Sequence, residues 1–229
     1  MKSKLIAIIF IFLFAAPACD DSQREGEFVD EPLVLKGDDN YTGEQCGPDI
    51  YPCPPYGYSK YQTIRDIAFL PANQAAFDLV EPNKTPSLKS FYQLREEGYQ
   101  LLLITLSTGW CDVCLAQMGA VVDIVPQYGF SSDNPKVAFL TIITENEQLE
   151  TATLEYASQY STDHGLDQLV PVTNDPNKVF YKYMTASSYP FNIFINLKDM
   201  TIVDYASGLD TETTFSQKLD DVLELINPN

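Results

Sequence analysis

The 229-residue chain has few cations and almost no histidine. It carries 14 Lys and Arg against 32 Asp and Glu, a formal net charge of -18, and His164 is its one histidine. A chain this acidic repels phosphate backbones, which excludes nucleic-acid binding driven by counterion release. A single histidine excludes metal sites built from several histidines. The sequence predicts no metal and no cofactor, and its five cysteines are the chemistry left to explain.

The chain also lacks an apolar run of the roughly 20 residues that a transmembrane helix needs. Its longest run, Leu5 to Ala18, is shorter, follows Lys2 and Lys4, and ends at two aspartates. A positive start, an apolar middle and small residues at the exit are typical of a secretory signal peptide. We therefore predict a signal peptide over residues 1–18 and an exported chain.

Cys19 follows this segment directly, and Ala16-Pro17-Ala18-Cys19 resembles the lipobox of bacterial lipoproteins. The resemblance implies that Cys19 is lipidated and that the protein is anchored in a bacterial membrane, facing the periplasm or the cell exterior. Ala16 stands where leucine is commonest, so ordinary cleavage after Ala18 is the alternative. Removing Cys19 leaves four cysteines, an even number that can pair in an exported protein.

Residues 19–61 are acidic and rich in glycine and proline, and we predict a tether followed by a loop that Cys46 and Cys53 close. A structural disulfide is the simpler interpretation of this pair in an oxidising compartment, and a second redox pair is the alternative. Residues 62–229 alternate apolar runs with amphipathic segments, which predicts one α/β domain with a mixed sheet. Strands are predicted at 64–70, 101–106, 137–144, 191–197 and 201–205, and helices at 87–97, 113–128, 148–164, 176–183 and 211–226.

Two further cysteines lie where a predicted buried strand gives way to a helix, in Trp110-Cys111-Asp112-Val113-Cys114. Unpaired backbone N–H groups and the positive dipole end of a helix favour a thiolate at Cys111. Cys114 follows one turn later on the same face, within disulfide reach. This spacing suits dithiol–disulfide exchange, in which Cys111 attacks a substrate disulfide and Cys114 resolves the mixed disulfide.

Together with Tyr189-Pro190-Phe191 before a later strand, this motif resembles the thioredoxin-like family over roughly residues 85–226, in particular exported thiol-disulfide oxidoreductases and redoxin-type lipoproteins. The resemblance implies a thioredoxin-like fold with an irregular N-terminal extension. It also implies a cis-proline at Pro190, with Pro171 the alternative, and Trp110, Asp112 and Tyr189 around the cysteines. Partners would be protein disulfide substrates and an upstream thiol electron donor.

The motif departs from the family in ways that bear on redox direction. Asp112 and Val113 replace the common Gly-Pro, and no Lys, Arg or His occurs between Arg95 and Lys136. Without a nearby cation, the thiolate depends on the helix end alone, which favours a reducing or isomerising enzyme over an oxidising one. Carboxylates that many relatives hold nearby are replaced by Thr105 and Gln117, so we expect resolution to be slow or to use water.

Other classes remain as alternatives. A thiol peroxidase on the same fold would use Thr108, three residues before Cys111, but no proline lies upstream in the strand. Zinc would need two ligands beyond Cys111 and Cys114, and the spacing of the other cysteines is wrong for it. His164, at a predicted helix end, is weak support for a copper chaperone. A non-catalytic surface lipoprotein with a static disulfide would bind a partner through tyrosines at 56, 58, 61, 181, 183 and 189.

Overall fold

The computed structural model describes residues 46–130, 132–185 and 188–228. The predicted signal peptide, Cys19 and most of the predicted tether lie outside these residues. Within the described ranges, no helix is long and apolar enough to cross a membrane.

Five strands form one mixed sheet in the order β3-β2-β1-β4-β5. β1 pairs in parallel with β2, and β2 with β3, whereas β4 is antiparallel to both β1 and β5. This confirms the predicted α/β architecture, parallel in its first half and antiparallel at the closing hairpin. The strands are β1 (Leu101–Thr108), β2 (Val137–Glu145), β3 (Val172–Asn174), β4 (Phe191–Asn196) and β5 (Thr201–Ser207).

Helices cover both faces of the sheet, and hydroxyl or amide side chains cap several of them. Thr153 and Thr211 each accept a backbone N–H at the start of a helix, which satisfies a donor that has no partner within the helix. The helices are α1 (Gln74–Phe77), α2 (Leu88–Gln93), α3 (Asp112–Tyr128), α4 (Leu154–Asp163) and α5 (Glu212–Ile226), with 3₁₀ turns at Leu94–Glu97 and Tyr181–Tyr183.

β1 is buried along its whole length because the sheet has a core on each side. Leu101 and Leu103 face a core that contains Met118 of α3 and Phe215 of α5. Leu102, Ile104 and Leu106 face a second core, which residues 51–69 and α2 complete. The continuous apolar run therefore reflects a central strand with two buried faces.

The strand predicted at 64–70 is wrong. The backbone N–H of Ile64 donates to Met200 O at 2.9 Å, whereas that of Phe69 donates to Pro86 O at 3.0 Å. The segment crosses from one neighbour to another, so it forms isolated bridges and no continuous ladder. Ile64, Ile67 and Phe69 are buried in the second core, whereas Leu70 is exposed.

Turns stabilised by side chains explain two differences from the predicted helices: the helix predicted at 176–183 is wrong, and the one predicted at 148–164 starts later. Asp175 accepts the backbone N–H groups of Val179 and Tyr181 at 2.7 and 2.9 Å, and Lys178 has a φ of 52°, so 176–183 holds only a 3₁₀ turn. Asn146 likewise accepts backbone N–H groups at 148 and 150, which delays the start of α4 to Leu154. The short elements α1 and β3 were not predicted.

Candidate active site

β1 carries the polar residues of the site on alternate positions. Leu101 and Leu103 point toward α3, and the same alternation carries Thr105 and Ser107 to that face nearer the end of the strand. Thr105 touches Gln117 of α3, and Ser107 touches Tyr160 of α4. The strand thus delivers two buried hydroxyls beneath the start of α3.

Cys111 is the N-cap of α3. Its φ of -101° and ψ of 106° are extended, and its Sγ accepts the backbone N–H of Cys114 at 3.4 Å. A sulfur in this position faces the unpaired N–H groups and positive end of the helix dipole. Both cysteines are fully buried, with no exposed surface.

A cis peptide bond joins Tyr189 and Pro190 at the start of β4. The Tyr189 carbonyl lies 3.6 Å from the Cys111 thiol, which donates a hydrogen bond to it. The Tyr189 ring meets the indole of Trp110 edge to face, with centroids 5.9 Å apart, and its hydroxyl lies 3.0 Å from that of Thr144. The structure therefore brings the predicted Trp110, Cys111, Tyr189 and Pro190 together, while Asp112 lies exposed in the first turn of α3.

Glu145, which the sequence pattern did not single out, belongs to this site. Its carboxylate accepts the indole N–H of Trp110 at 2.9 Å, and its carbonyl accepts the backbone N–H of Gly109 at 2.9 Å. A Cβ on Gly109 would overlap the hydroxyl of Tyr156, so any larger residue would force the Tyr156 side chain to shift. The turn before Cys111 is thus held by β2 on one side and by α4 on the other.

Gln117 and Asn192 form a buried amide pair. Gln117 Nε2 donates to Asn192 Oδ1 at 2.8 Å, and Asn192 Nδ2 donates back to Gln117 Oε1 at 3.1 Å. Thr105 donates to Asn192 Oδ1 at 2.8 Å, and Leu209 N donates to Gln117 Oε1 at 3.2 Å. The carboxylates absent from 105 and 117 are therefore replaced by a neutral network in which every amide group has a partner.

Cys114, like Cys111, has no exposed surface. Burial, followed by the neighbouring Cys111, raises the pKa of the Cys114 thiol well above its ordinary value, although contacts with Thr108 and Ser107 act in the opposite direction. Cys114 is therefore held as a neutral thiol in this conformation. Any reaction through its sulfur requires a route for the proton.

Cys46 and Cys53 form a disulfide. The loop between them packs on Tyr92 and Arg95, which both donate to Pro48 O, at 2.7 and 2.8 Å. Those contacts lie on the segment leading into the start of β1, whereas Cys111 follows the other end of this strand, roughly 25 Å away along its axis. This placement favours a structural role, and it leaves neither sulfur for a zinc site with Cys111 and Cys114.

The tyrosines of the predicted face differ in exposure, and the rings of two of them, Tyr58 and Tyr183, pack with centroids 4.8 Å apart. Tyr183 is buried, and the hydroxyl of Tyr56 donates to Pro52 O at 2.8 Å. Tyr58 and Tyr61 are exposed, whereas Tyr189 belongs to the cysteine site. His164 is the C-cap of α4 and packs on a neighbouring tyrosine ring, as its position at a helix end predicts.

No protein-family model and no curated protein matches the chain. Among solved structures, it is similar to a putative protein disulfide isomerase from Bacteroides thetaiotaomicron, with 18% identity and a TM-score of 0.52, over 74% of this chain and 91% of that one. A thioredoxin-family thiol:disulfide interchange protein from Chlorobium tepidum matches with 12% identity and a TM-score of 0.50, over 72% and 98%. A hypothetical protein from Sinorhizobium meliloti matches with 15% identity and a TM-score of 0.52, over 72% and 85%. At identities this low the similarity concerns the fold.

Proposed function

The chain has the thioredoxin-like fold, and from this premise we propose that it is a membrane-anchored thiol-disulfide oxidoreductase that acts through Cys111 and Cys114 in the reducing or isomerising direction. One observation carries the proposal. The Cys111 sulfur caps α3 and lies 3.6 Å from the carbonyl that precedes a cis-proline, with a second thiol one helical turn away.

The reaction follows from the positions of the two sulfurs. Cys111, as the thiolate, attacks one sulfur of a substrate disulfide, and the substrate S–S bond breaks as the other sulfur leaves with its electron pair. Cys114 then loses its proton and attacks Cys111 Sγ, which releases the second substrate sulfur as a thiolate. The substrate disulfide is reduced and Cys111–Cys114 is oxidised, so an upstream thiol donor must restore the dithiol.

The charges around Cys111 support the reducing direction. Residues 96–135 contain no Lys, Arg or His, and Asp112 follows the nucleophile directly. The Glu145 carboxylate accepts a hydrogen bond from the indole of Trp110, the residue before the nucleophile. A strong oxidant of this kind has a reduced form that is stabilised as a thiolate. Negative neighbours disfavour that thiolate, so the disulfide form is a weaker oxidant.

Substrate access requires a local movement, because Cys111 has no exposed surface. Trp110 is half-buried and precedes it directly, and its indole is held by one hydrogen bond and one edge-to-face contact. Displacement of this indole by an apolar side chain of the substrate would uncover the sulfur without unfolding α3.

Anchoring and export remain proposals that rest on residues 1–19. The signal pattern and the lipobox resemblance support a lipoprotein attached through Cys19. Mass spectrometry of the mature N-terminus should find an acylated Cys19, and Cys19→Ala should release the protein from the membrane fraction. An unmodified N-terminus in the soluble fraction would contradict the anchor while leaving the redox proposal intact.

A disulfide-reduction assay on the purified protein, with a small thiol as electron donor, tests the redox proposal. Turnover should be present in the wild type and absent in Cys111→Ser. The paired variant Cys46→Ser/Cys53→Ser is the matched control, and it should keep turnover because that clip lies away from α3. A folded wild type without turnover would contradict the proposal and favour the static-disulfide alternative.

Thiol peroxidase activity is the second candidate, and one observation favours it. Among the described residues, the hydroxyl of Thr108 is buried without a hydrogen-bond partner, three residues before Cys111. A buried unpaired hydroxyl is costly and calls for an explanation. Peroxide consumption that depends on Cys111 and Thr108, without reduction of disulfides, would favour the peroxidase over the reductase.

A further inference from the structure

Resolution of a mixed disulfide requires Cys114 to lose a proton in a buried site. The thiol is fully buried, and the nearby amide pair cannot accept a proton because neutral amides are not bases at ordinary pH. Both amides are also fully engaged with each other, with Thr105 and with Leu209. The proton must therefore leave by another side of the thiol.

Two buried hydroxyls are available for that route. Ser107 lies beside the Cys114 thiol, and its Oγ is 3.1 Å from the Tyr160 hydroxyl. Ser107 has no exposed surface, and Tyr160 retains only 3%. Each hydroxyl can accept one proton while it gives up another, so a chain of two can move a proton without becoming charged.

Tyr160 is the last hydroxyl of this chain, and it lies on α4. Its ring packs on half-buried His164, with centroids 4.3 Å apart, and lies 6.4 Å from the ring of Tyr156. Burial raises the pKa of Tyr160, and Ser107 partly opposes that shift. The phenol is therefore suited to pass a proton on rather than to hold a negative charge.

We propose that Ser107 and Tyr160 form a hydroxyl relay that carries the proton of Cys114 to solvent while the mixed disulfide is resolved. The proposal rests on the proposed function. Ser107 acts directly on the reacting thiol, and Tyr160 acts through Ser107 as a positioning residue and second carrier.

The step balances in protons and electrons. The Cys114 proton passes to Ser107 Oγ as the Ser107 proton passes to Tyr160, whose phenolic proton leaves to water. Cys114 Sγ forms a bond to Cys111 Sγ, and the bond between Cys111 and the substrate sulfur breaks. The electron pair departs with the substrate thiolate, which is protonated by water, and both hydroxyls end unchanged.

A two-phase thiol titration tests the relay. The full chain carries Cys19→Ala, with Cys111 and Cys114 reduced and the Cys46–Cys53 disulfide intact. It is mixed rapidly with the aryl disulfide 5,5′-dithiobis(2-nitrobenzoate). The first aryl thiolate released reports attack by Cys111. The second reports attack by Cys114 on the mixed disulfide, so the two steps are read separately in one experiment.

Ser107→Ala and Tyr160→Phe should leave the first phase unchanged and slow the second at least about 10-fold, the low end of the effects that proton transfer produces. Ser107→Thr, which keeps the hydroxyl, should restore the second phase. Thr162→Val is the matched control: Thr162 lies exposed on α4, its hydroxyl donates to Ser158 O at 3.3 Å, and its loss should change neither phase. The second phase should also slow in deuterated water for the wild type and less so for Ser107→Ala.

Two results would overturn the relay. One is a second phase within about two-fold of the wild type in both Ser107→Ala and Tyr160→Phe. The other is equal slowing in Thr162→Val, since that would indicate a general effect of altering α4. If Tyr160→Phe does not fold, the comparison of Ser107→Ala with Ser107→Thr decides alone. A folded wild type that releases neither thiolate contradicts the proposed function itself, and the relay with it.

Discussion

The buried Gln117–Asn192 amide pair leads to a quantitative prediction about stability. Gln117→Leu leaves Asn192 Nδ2 and Leu209 N without their acceptor. Two stranded donors at about 2 kcal/mol each, offset by about 1.5 kcal/mol of added apolar burial, lower the free energy of unfolding by about 2.5 kcal/mol. Asn192→Leu strands one Gln117 N–H and the Thr105 hydroxyl, so a similar loss is expected.

The double variant distinguishes a true pair from two independent contacts. Replacing both residues strands only Leu209 N and the Thr105 hydroxyl, and two leucines recover twice the apolar burial. The expected loss is about 1 kcal/mol, well below the about 5 kcal/mol that simple addition gives. Replacing both partners is therefore expected to cost less than replacing either one.

Urea unfolding of the four proteins, with equal m-values as the check on two-state behaviour, measures these differences. Gln127→Leu is the control, because Gln127 lies exposed on the same helix and its loss should stay within about 0.5 kcal/mol. A double variant that loses the sum of the two single losses would refute the reciprocal hydrogen bonding.

Two further predictions concern the turn before the cysteines and the loss of stability at acid pH. Gly109→Ala should lower the free energy of unfolding by about 1–3 kcal/mol, seen as a lower midpoint of thermal unfolding, because its Cβ overlaps Tyr156. Gly119 lies on the exposed side of α3 with open space around it, so Gly119→Ala should be neutral or stabilising. Burial alone would raise the pKa of Asp204, but hydrogen bonds from lysines, chiefly Lys218, lower it overall. The stability that Asp204 contributes should therefore be present above about pH 4 and be lost as pH falls further. In urea unfolding, the free energy of unfolding of Asp204→Asn should fall less below about pH 4 than that of the wild type. An equal fall in both proteins would contradict this.

The order of the main elements followed from sequence because long periodic segments leave few alternatives. β1 is apolar and buried at almost every position, and the buried residues of α3 recur at helical spacing, so each sequence pattern fits one type of element. Short or side-chain-capped segments were mispredicted, since Asp175 and Asn146 satisfy backbone donors that would otherwise continue a helix. Three-residue β3 carries too short a pattern to detect.

The site was predictable only in part, for a related reason. The cysteine turn and the proline are local signals, whereas the Gln117–Asn192 pair depends on the register that places Thr105 opposite Asn192 across β1 and β4. Ser107 could have been found by continuing the alternation of β1 past its apolar positions. Its contact with Tyr160 could not, because it depends on how α4 packs against the strand.

The reduction potential of the Cys111–Cys114 pair tests the central claim most directly. The protein is equilibrated in defined thiol–disulfide buffers, alkylated, and analysed by mass spectrometry of the peptide that contains both residues. We expect one reversible two-electron transition, well below the about -120 mV of the strongly oxidising periplasmic enzyme and closer to the about -270 mV of thioredoxin. The absence of any reversible transition, or a potential near -120 mV, would contradict the account.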